Sequence, residues 1–210
     1  MDIKKLKIMI LNGEDVSNVD TSEITSMHSL FQGCEDFNQD ISSWDVSNVK
    51  DMSRMFYGCR SFNKDISSWD VKGVENMTYM FKGCESFNQD ISSWDVSSMN
   101  STVCMFKGCR MFNQDLNKWD TISLENMFDM FQGCKSFNYK NFKGKFEEMW
   151  YAIDENEFEL LNKEELLDFI KMYKFFDNFK LKVYEKIEAK DIKEIARDNL
   201  IMVEFDESLL

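Results

Sequence analysis

A 25-residue unit recurs about five times between residues 13 and 140, and it constrains the fold more than any other property of this chain. A shift of 25 residues superposes Val46–Asp70 on Val71–Asp95 and on Val96–Asp120. An earlier copy runs Thr21–Asp45, and a fifth starts at Thr121 and decays after Asn138. Cysteines fall at 34, 59, 84, 109 and 134, tryptophans at 44, 69, 94 and 119, and Phe-Asn pairs at 37, 62, 87, 112 and 137. Asp15–Asp20 matches Asp40–Asp45, so a partial rung precedes the first full one. A unit this short cannot bury its own apolar face, and copies in such register must stack on one another.

Within one unit the apolar period changes. Val49, Met52, Met55, Phe56 and Cys59 stand at i, i+3, i+6, i+7 and i+10, which predicts one face of a short helix ending near Gly58. Asp65–Asp70 is short and β-compatible, which predicts a strand. Stacking would join the strands into a parallel sheet and the Met, Phe and Cys residues into a continuous core. Five rungs at ~4.8 Å would give a body roughly 25 Å long. The expected fold class is an α/β repeat solenoid, with a parallel sheet on one face and short helices on the other, followed by a mainly helical C-terminal segment.

The phrase Phe87-Asn-Gln-Asp-Ile-Ser-Ser-Trp-Asp-Val96, with Met-x-x-Met-Phe-x-Gly-Cys in the same unit, closely resembles the BspA-like leucine-rich repeat family. That family includes the 25-residue repeats of mollicute lipoproteins. The resemblance spans residues 13–140 and implies a curved leucine-rich-repeat solenoid. Members occur on bacterial surfaces, in protists and in large DNA viruses, and are usually taken as adhesion or protein-interaction modules. A signal peptide and a lipobox-like cysteine, which the surface lipoproteins carry, are not seen here.

Charge narrows the partners. The chain has 38 Asp and Glu against 25 Lys and Arg, a net charge of −13, which argues against nucleic acid as a general partner because phosphate binding needs clustered Lys and Arg. Proline is absent, which argues against a disordered chain. The N-terminal apolar run is too short for a secretory signal, and no stretch approaches the ~20 apolar residues of a membrane span. The expectation is an intracellular or virion protein without a membrane span.

The ladders of identical residues each have two readings. Stacked cysteines lie within disulfide range, but each sits on an apolar face beside Phe, and no Cys-x-x-Cys pair exists; buried thiols are expected, with no metal and no cofactor. Cys104, at a position occupied by Arg54 and Tyr79 in other copies, is expected to be exposed. If the strand alternates strictly, Trp44, Trp69, Trp94 and Trp119 form an outward aromatic row, the candidate partner-binding residues. If the chain instead turns at Ser68, the indoles stack at the edge of the core, and the presence of Trp in every rung favours this. Asn38, Asn63, Asn88 and Asn113 are read as bonding backbone groups at a bend, and Asp45, Asp70, Asp95 and Asp120 as turn caps rather than cation ligands.

From Asn141 the composition shifts to eighteen acidic against eleven basic residues, with helical periodicity in 146–153, 163–175 and 179–196 and a final apolar run at 200–205. The expected organisation is therefore a solenoid over 1–140 with an N-terminal cap strand, and an acidic, mainly helical cap or small domain over 141–210. Asp154–Glu165 resembles an EF-hand loop, but Phe158 and Glu159 stand where a ligand and the sharp-turn Gly belong, so a turn without calcium is expected.

No catalytic constellation surrounds His28, the single histidine, and no phosphate loop exists, so the chain is not expected to be an enzyme. The expected function is a non-enzymatic protein–protein interaction module that presents its stacked surface to a protein partner. A structural assembly component, such as part of a large DNA virus particle and capable of self-assembly, is the alternative, and a surface adhesin a further one. Since stacking accounts for the recurring residues, function is expected where the copies differ.

Overall fold

The computed structural model describes residues 1–142 apart from 126, 128, 139 and 140, and beyond them the backbone of three short strands. The chain divides into two compact units, Met1–Gly144 and Lys145–Leu210.

The first unit opens with helix α1, Ile3–Leu11, where a cap strand was expected. Ile3, Leu6 and Ile10 recur at helical spacing, and the Asp2 side chain accepts the Lys4 N–H at 3.2 Å as the N-cap. Leu6 and Ile10 are buried. A partial rung follows, with Val16 fully buried and Asp15 accepting the Ser17 N–H at 2.9 Å.

The repeats stack as expected, but not as a solenoid of helices and a sheet. Among the described residues the repeats contain neither a helix nor a strand, only isolated parallel bridges at Ser26–Asp51, Asp51–Asn76 and Asn76–Ser101. Each rung is a succession of three-residue turns. Met55 N–H bonds the Met52 carbonyl, Cys59 that of Phe56, Phe62 that of Cys59, and Trp69 that of Ile66. Consecutive turns of this kind repeat every three residues, as one helix face does, so the predicted apolar face is buried at all five positions along a different backbone path.

The expected helix is the segment that joins the rungs. The N–H groups of Met52, Arg54, Phe56 and Gly58 donate to Asn76, Thr78, Met80 and Lys82 of the next rung at 2.8–3.0 Å, and the same ladder runs from rung one to rung two. A helix of some ten residues is marginal by itself, whereas this ladder satisfies the backbone and brings the apolar side chains into columns. The ladder requires a left-handed residue at Gly58, Gly83 and Gly108, where φ is +77 to +78°. These glycines lie on each other's backbone, with the position of a Cβ on Gly83 only 3.6 Å from Gly58 Cα.

The core is a set of stacked rings. Phe56, Phe81 and Phe106 lie 5.5 and 5.6 Å apart with interplanar angles of 3 and 6°, and each packs at 4.1–4.2 Å on the second Phe of its own rung. Offset stacking at these separations adds to the gain from burial itself.

In the second unit, β1 (Met149–Ile153), β2 (Phe179–Val183) and β3 (Met202–Phe205) form a parallel sheet in the order β1-β2-β3. Two stretches read as helical, 146–153 and 179–196, thus hold strands, which corrects the expectation of a mainly helical segment. Apolar residues at spacing three or four in short windows also fit a buried strand, and pairing decided between them. The stretch 163–175 and the EF-hand-like Asp154–Glu165 lie outside the described residues.

Candidate interaction surfaces

The tryptophans do not form an exposed row. Trp44, Trp69, Trp94 and Trp119 are 3–6% exposed, and each indole N–H donates to a backbone carbonyl of the preceding rung: Val16, Ile41, Ile66 and Ile91 respectively, at 3.0–3.2 Å. The strand that would have turned them outward is absent, because the chain turns between Ile66 and Trp69. They are core residues, and the partner-binding assignment to them is withdrawn.

The other ladders are likewise occupied by stacking. Cys59, Cys84, Cys109 and Cys134 donate S–H bonds to the Phe31, Phe56, Phe81 and Phe106 carbonyls at 2.9–3.1 Å. Burial pushes the Cys59 and Cys134 thiols up to about 12 and those of Cys84 and Cys109 well above their ordinary value. Cys104 is buried as well, against the expectation of exposure. Cys34 is half-buried, beside a hollow of about 530 Å³ that Ile10 and Phe37 also line. The backbone N–H groups of Asn63, Asn88, Asn113 and Asn138 each donate to the side-chain oxygen of the Asn one rung before at 2.7–3.0 Å.

Two columns of aspartate edge the stack, and both cap turns. Asp40, Asp65, Asp90 and Asp115 accept the N–H two residues on, as do Asp45, Asp70, Asp95 and Asp120. The hydroxyl and N–H of Ser47 lower the Asp45 carboxyl below its ordinary range, and Ser97 does the same for Asp95. Among the described residues no group of three or more His, Cys, Asp or Glu is placed to hold a metal ion. His28 Nδ1 lies 2.7 Å from the Ser53 hydroxyl and 3.9 Å from the Asp51 carboxylate.

What remains is the set of positions that differ from rung to rung. Ser29, Arg54, Tyr79, Cys104 and Asp129 occupy one such column, all with φ between 52 and 59°. Glycine would adopt this left-handed backbone freely, while other residues incur about 1 kcal/mol or more. Beside it, rungs two and three carry a cluster of cations on tyrosines. The Arg54 guanidinium lies 5.3 Å over Tyr79, Lys82 Nζ lies 5.4 Å over Tyr57 and 5.2 Å over Tyr79, and the two rings meet edge-on at 6.4 Å. Next to it the charges alternate along the stack: Glu35, Arg60, Glu85 and Arg110 pair in sequence at 3.1–3.9 Å. Sequence reasoning did not single out Arg54, Tyr57, Tyr79 and Lys82. Their signal was variation inside an otherwise uniform motif.

This arrangement defines a repeat protein of stacked turns, tied together by side-chain and backbone ladders. The family described as "Mycoplasma protein of unknown function, DUF285" matches residues 4–110 and 68–150, and the chain belongs to this family of mollicute-type repeats. No curated protein and no solved structure matches the chain. No helix among the described residues is long and apolar enough to cross a membrane.

Proposed function

We propose that this chain is a non-enzymatic protein-interaction module that reads its partner with the rung positions that vary. One observation carries this reading. The residues common to all rungs have their polar groups occupied within the stack, so the chemical individuality of the surface lies in columns that vary, among them those of Ser29 and Gln32, which become Arg54 and Tyr57, then Tyr79 and Lys82. A backbone that holds non-glycine side chains in the left-handed region at the first of these columns supports the same view. The motif shared with BspA-like proteins supports a kinship in which such repeats serve recognition. Six cysteines without a disulfide support a reducing, intracellular setting.

Site-specific photo-crosslinking tests the reading. A photoreactive phenylalanine analogue at Tyr57 in the full chain, in cells of its natural source, should give discrete protein adducts, while the same group at Ser43 on the turn edge should not. Absence of adducts at both positions overturns the reading. Ordered self-assembly of the purified chain, seen by light scattering, would favour a structural component instead.

A further inference from the structure

The cation–tyrosine cluster has a counterpart further along the stack that shows what it lacks. Lys107 Nζ binds the Asp129 carboxylate at 2.8 Å, and the carboxylate is 3% exposed. The 25-residue repeat makes positions 82 and 104 the equivalents of 107 and 129, and positions 57 and 79 the equivalents one rung earlier. Only in the last of these pairs does the chain provide its own carboxylate. Opposite Lys82 stands Cys104, buried, and opposite Tyr57 stands Tyr79.

Arg54 and Lys82 therefore rest on rings and make no ion pair among the described residues, whereas Arg60, Lys72, Lys107 and Arg110 all have carboxylates. In a chain with net charge −13, Arg54 and Lys82 bring two cations onto the one ring of Tyr79. A cation over a ring gains less than a charge-assisted hydrogen bond would give it, so a carboxylate that reaches either cation adds to the contact already made. The guanidinium fork matches a carboxylate in two-point contact. A patch of two cations is too small for a polyanion such as nucleic acid, which needs an extended basic track.

We propose that Arg54, Tyr57, Tyr79 and Lys82 form a docking site for an acidic segment of a partner protein, whose carboxylates pair with the two cations from the solvent side as Asp129 pairs with Lys107 from within the stack. The proposal rests on the interaction-module reading and names its partner class. Fluorescence anisotropy with a labelled glutamate-rich peptide, and with its glutamine counterpart, tests it on the full chain. The glutamate peptide should bind saturably and the glutamine peptide at least about tenfold more weakly, as expected for losing one charge-assisted contact. The double variant Arg54→Ser/Lys82→Ser should lose that preference, while Lys72→Ser/Lys118→Ser, with the same change in net charge, should keep it.

No saturable binding by the native chain, or equal loss in both double variants, overturns the proposal. A dimer of the native chain that Arg54→Ser/Lys82→Ser dissolves, without competition by the peptide, overturns the separate partner in favour of a second copy. If crosslinking at Tyr57 persists unchanged in the Arg54→Ser/Lys82→Ser background, the interaction module stands and this site falls.

Discussion

The indole N–H of Trp69 donates to the backbone carbonyl of Ile41 at 3.2 Å, across a rung boundary and 28 residues back along the chain. The same carbonyl accepts the N–H of Trp44 in its own turn at 3.1 Å. One oxygen thus closes a turn and ties two rungs, and Trp44, Trp94 and Trp119 repeat the tie at their own boundaries.

Replacing Trp69 by Phe keeps a ring in the site and removes the tie. The Ile41 carbonyl keeps its turn bond, so the loss is one net hydrogen bond plus unfilled volume, about 1–3 kcal/mol. Urea denaturation of Trp69→Phe checks this, and an unchanged midpoint would contradict the tie. Trp69 fluorescence in a single-Trp variant should be blue-shifted and resist quenching; emission like that of a solvated indole would restore the exposed row.

Phe87→Ala removes a ring that stacks on Phe81 at 4.1 Å and on Phe62 and Phe112 at 6.0 and 5.9 Å. The site is fully buried and its walls belong to three rungs, so collapse around the void is restricted. A loss of about 3–5 kcal/mol is expected from chemical denaturation. A loss below about 1 kcal/mol would mean that the rings are not the core.

The repeat, its register and the identity of the core were legible because periodicity reports burial directly. Phe62, Cys59 and Met55 are buried as their spacing required. The backbone path was not legible. Spacing of three along Val49–Cys59 fits a helix and a chain of turns equally, and the choice lies in bonds to the neighbouring rung, such as Met52 to Asn76 and Phe56 to Met80. Asp65–Asp70 misled similarly, since its β-compatible Ile66 and Trp69 close a turn while Asp65 caps it through the Ser67 N–H. The Arg54–Tyr79 contact joins positions that differ between copies, and no single rung reveals it.

Thiol chemistry should separate one end of the stack from the rest. Cys59, Cys84, Cys104, Cys109 and Cys134 are buried, and burial holds the Cys59 thiol at about 12, so the reactive thiolate is scarce and shielded. Only Cys34, half-buried at the N-terminal end, is open to reagent. Titration with a chromogenic disulfide should modify Cys34 in the native chain, found by peptide mapping, and all six thiols after denaturation. Comparable native labelling at Cys84 would contradict the closed stack.

Acid should test the aspartate columns, and the sign discriminates between two effects. If like-charge repulsion along the column dominated, protonation would relieve it and the stack would gain stability as pH falls. The Ser22, Ser47 and Ser97 hydroxyls and N–H groups instead lower the Asp20, Asp45 and Asp95 carboxyls, even though Asp20 itself acts to raise Asp45. A carboxyl lowered in the folded state contributes stability that is fully present above its unfolded value, about 3.9, and is lost as pH falls through the folded value. The urea midpoint should therefore be level from pH 7 to about pH 5 and decline below about pH 4. Replacing Asp20, Asp45 and Asp95 together by Asn keeps an acceptor for each turn but removes the titration, so the decline between pH 5 and pH 3 should shrink. An equal decline in the triple variant would place the acid sensitivity elsewhere, and a rise in the native chain on acidification would show that repulsion, not capping, governs the column.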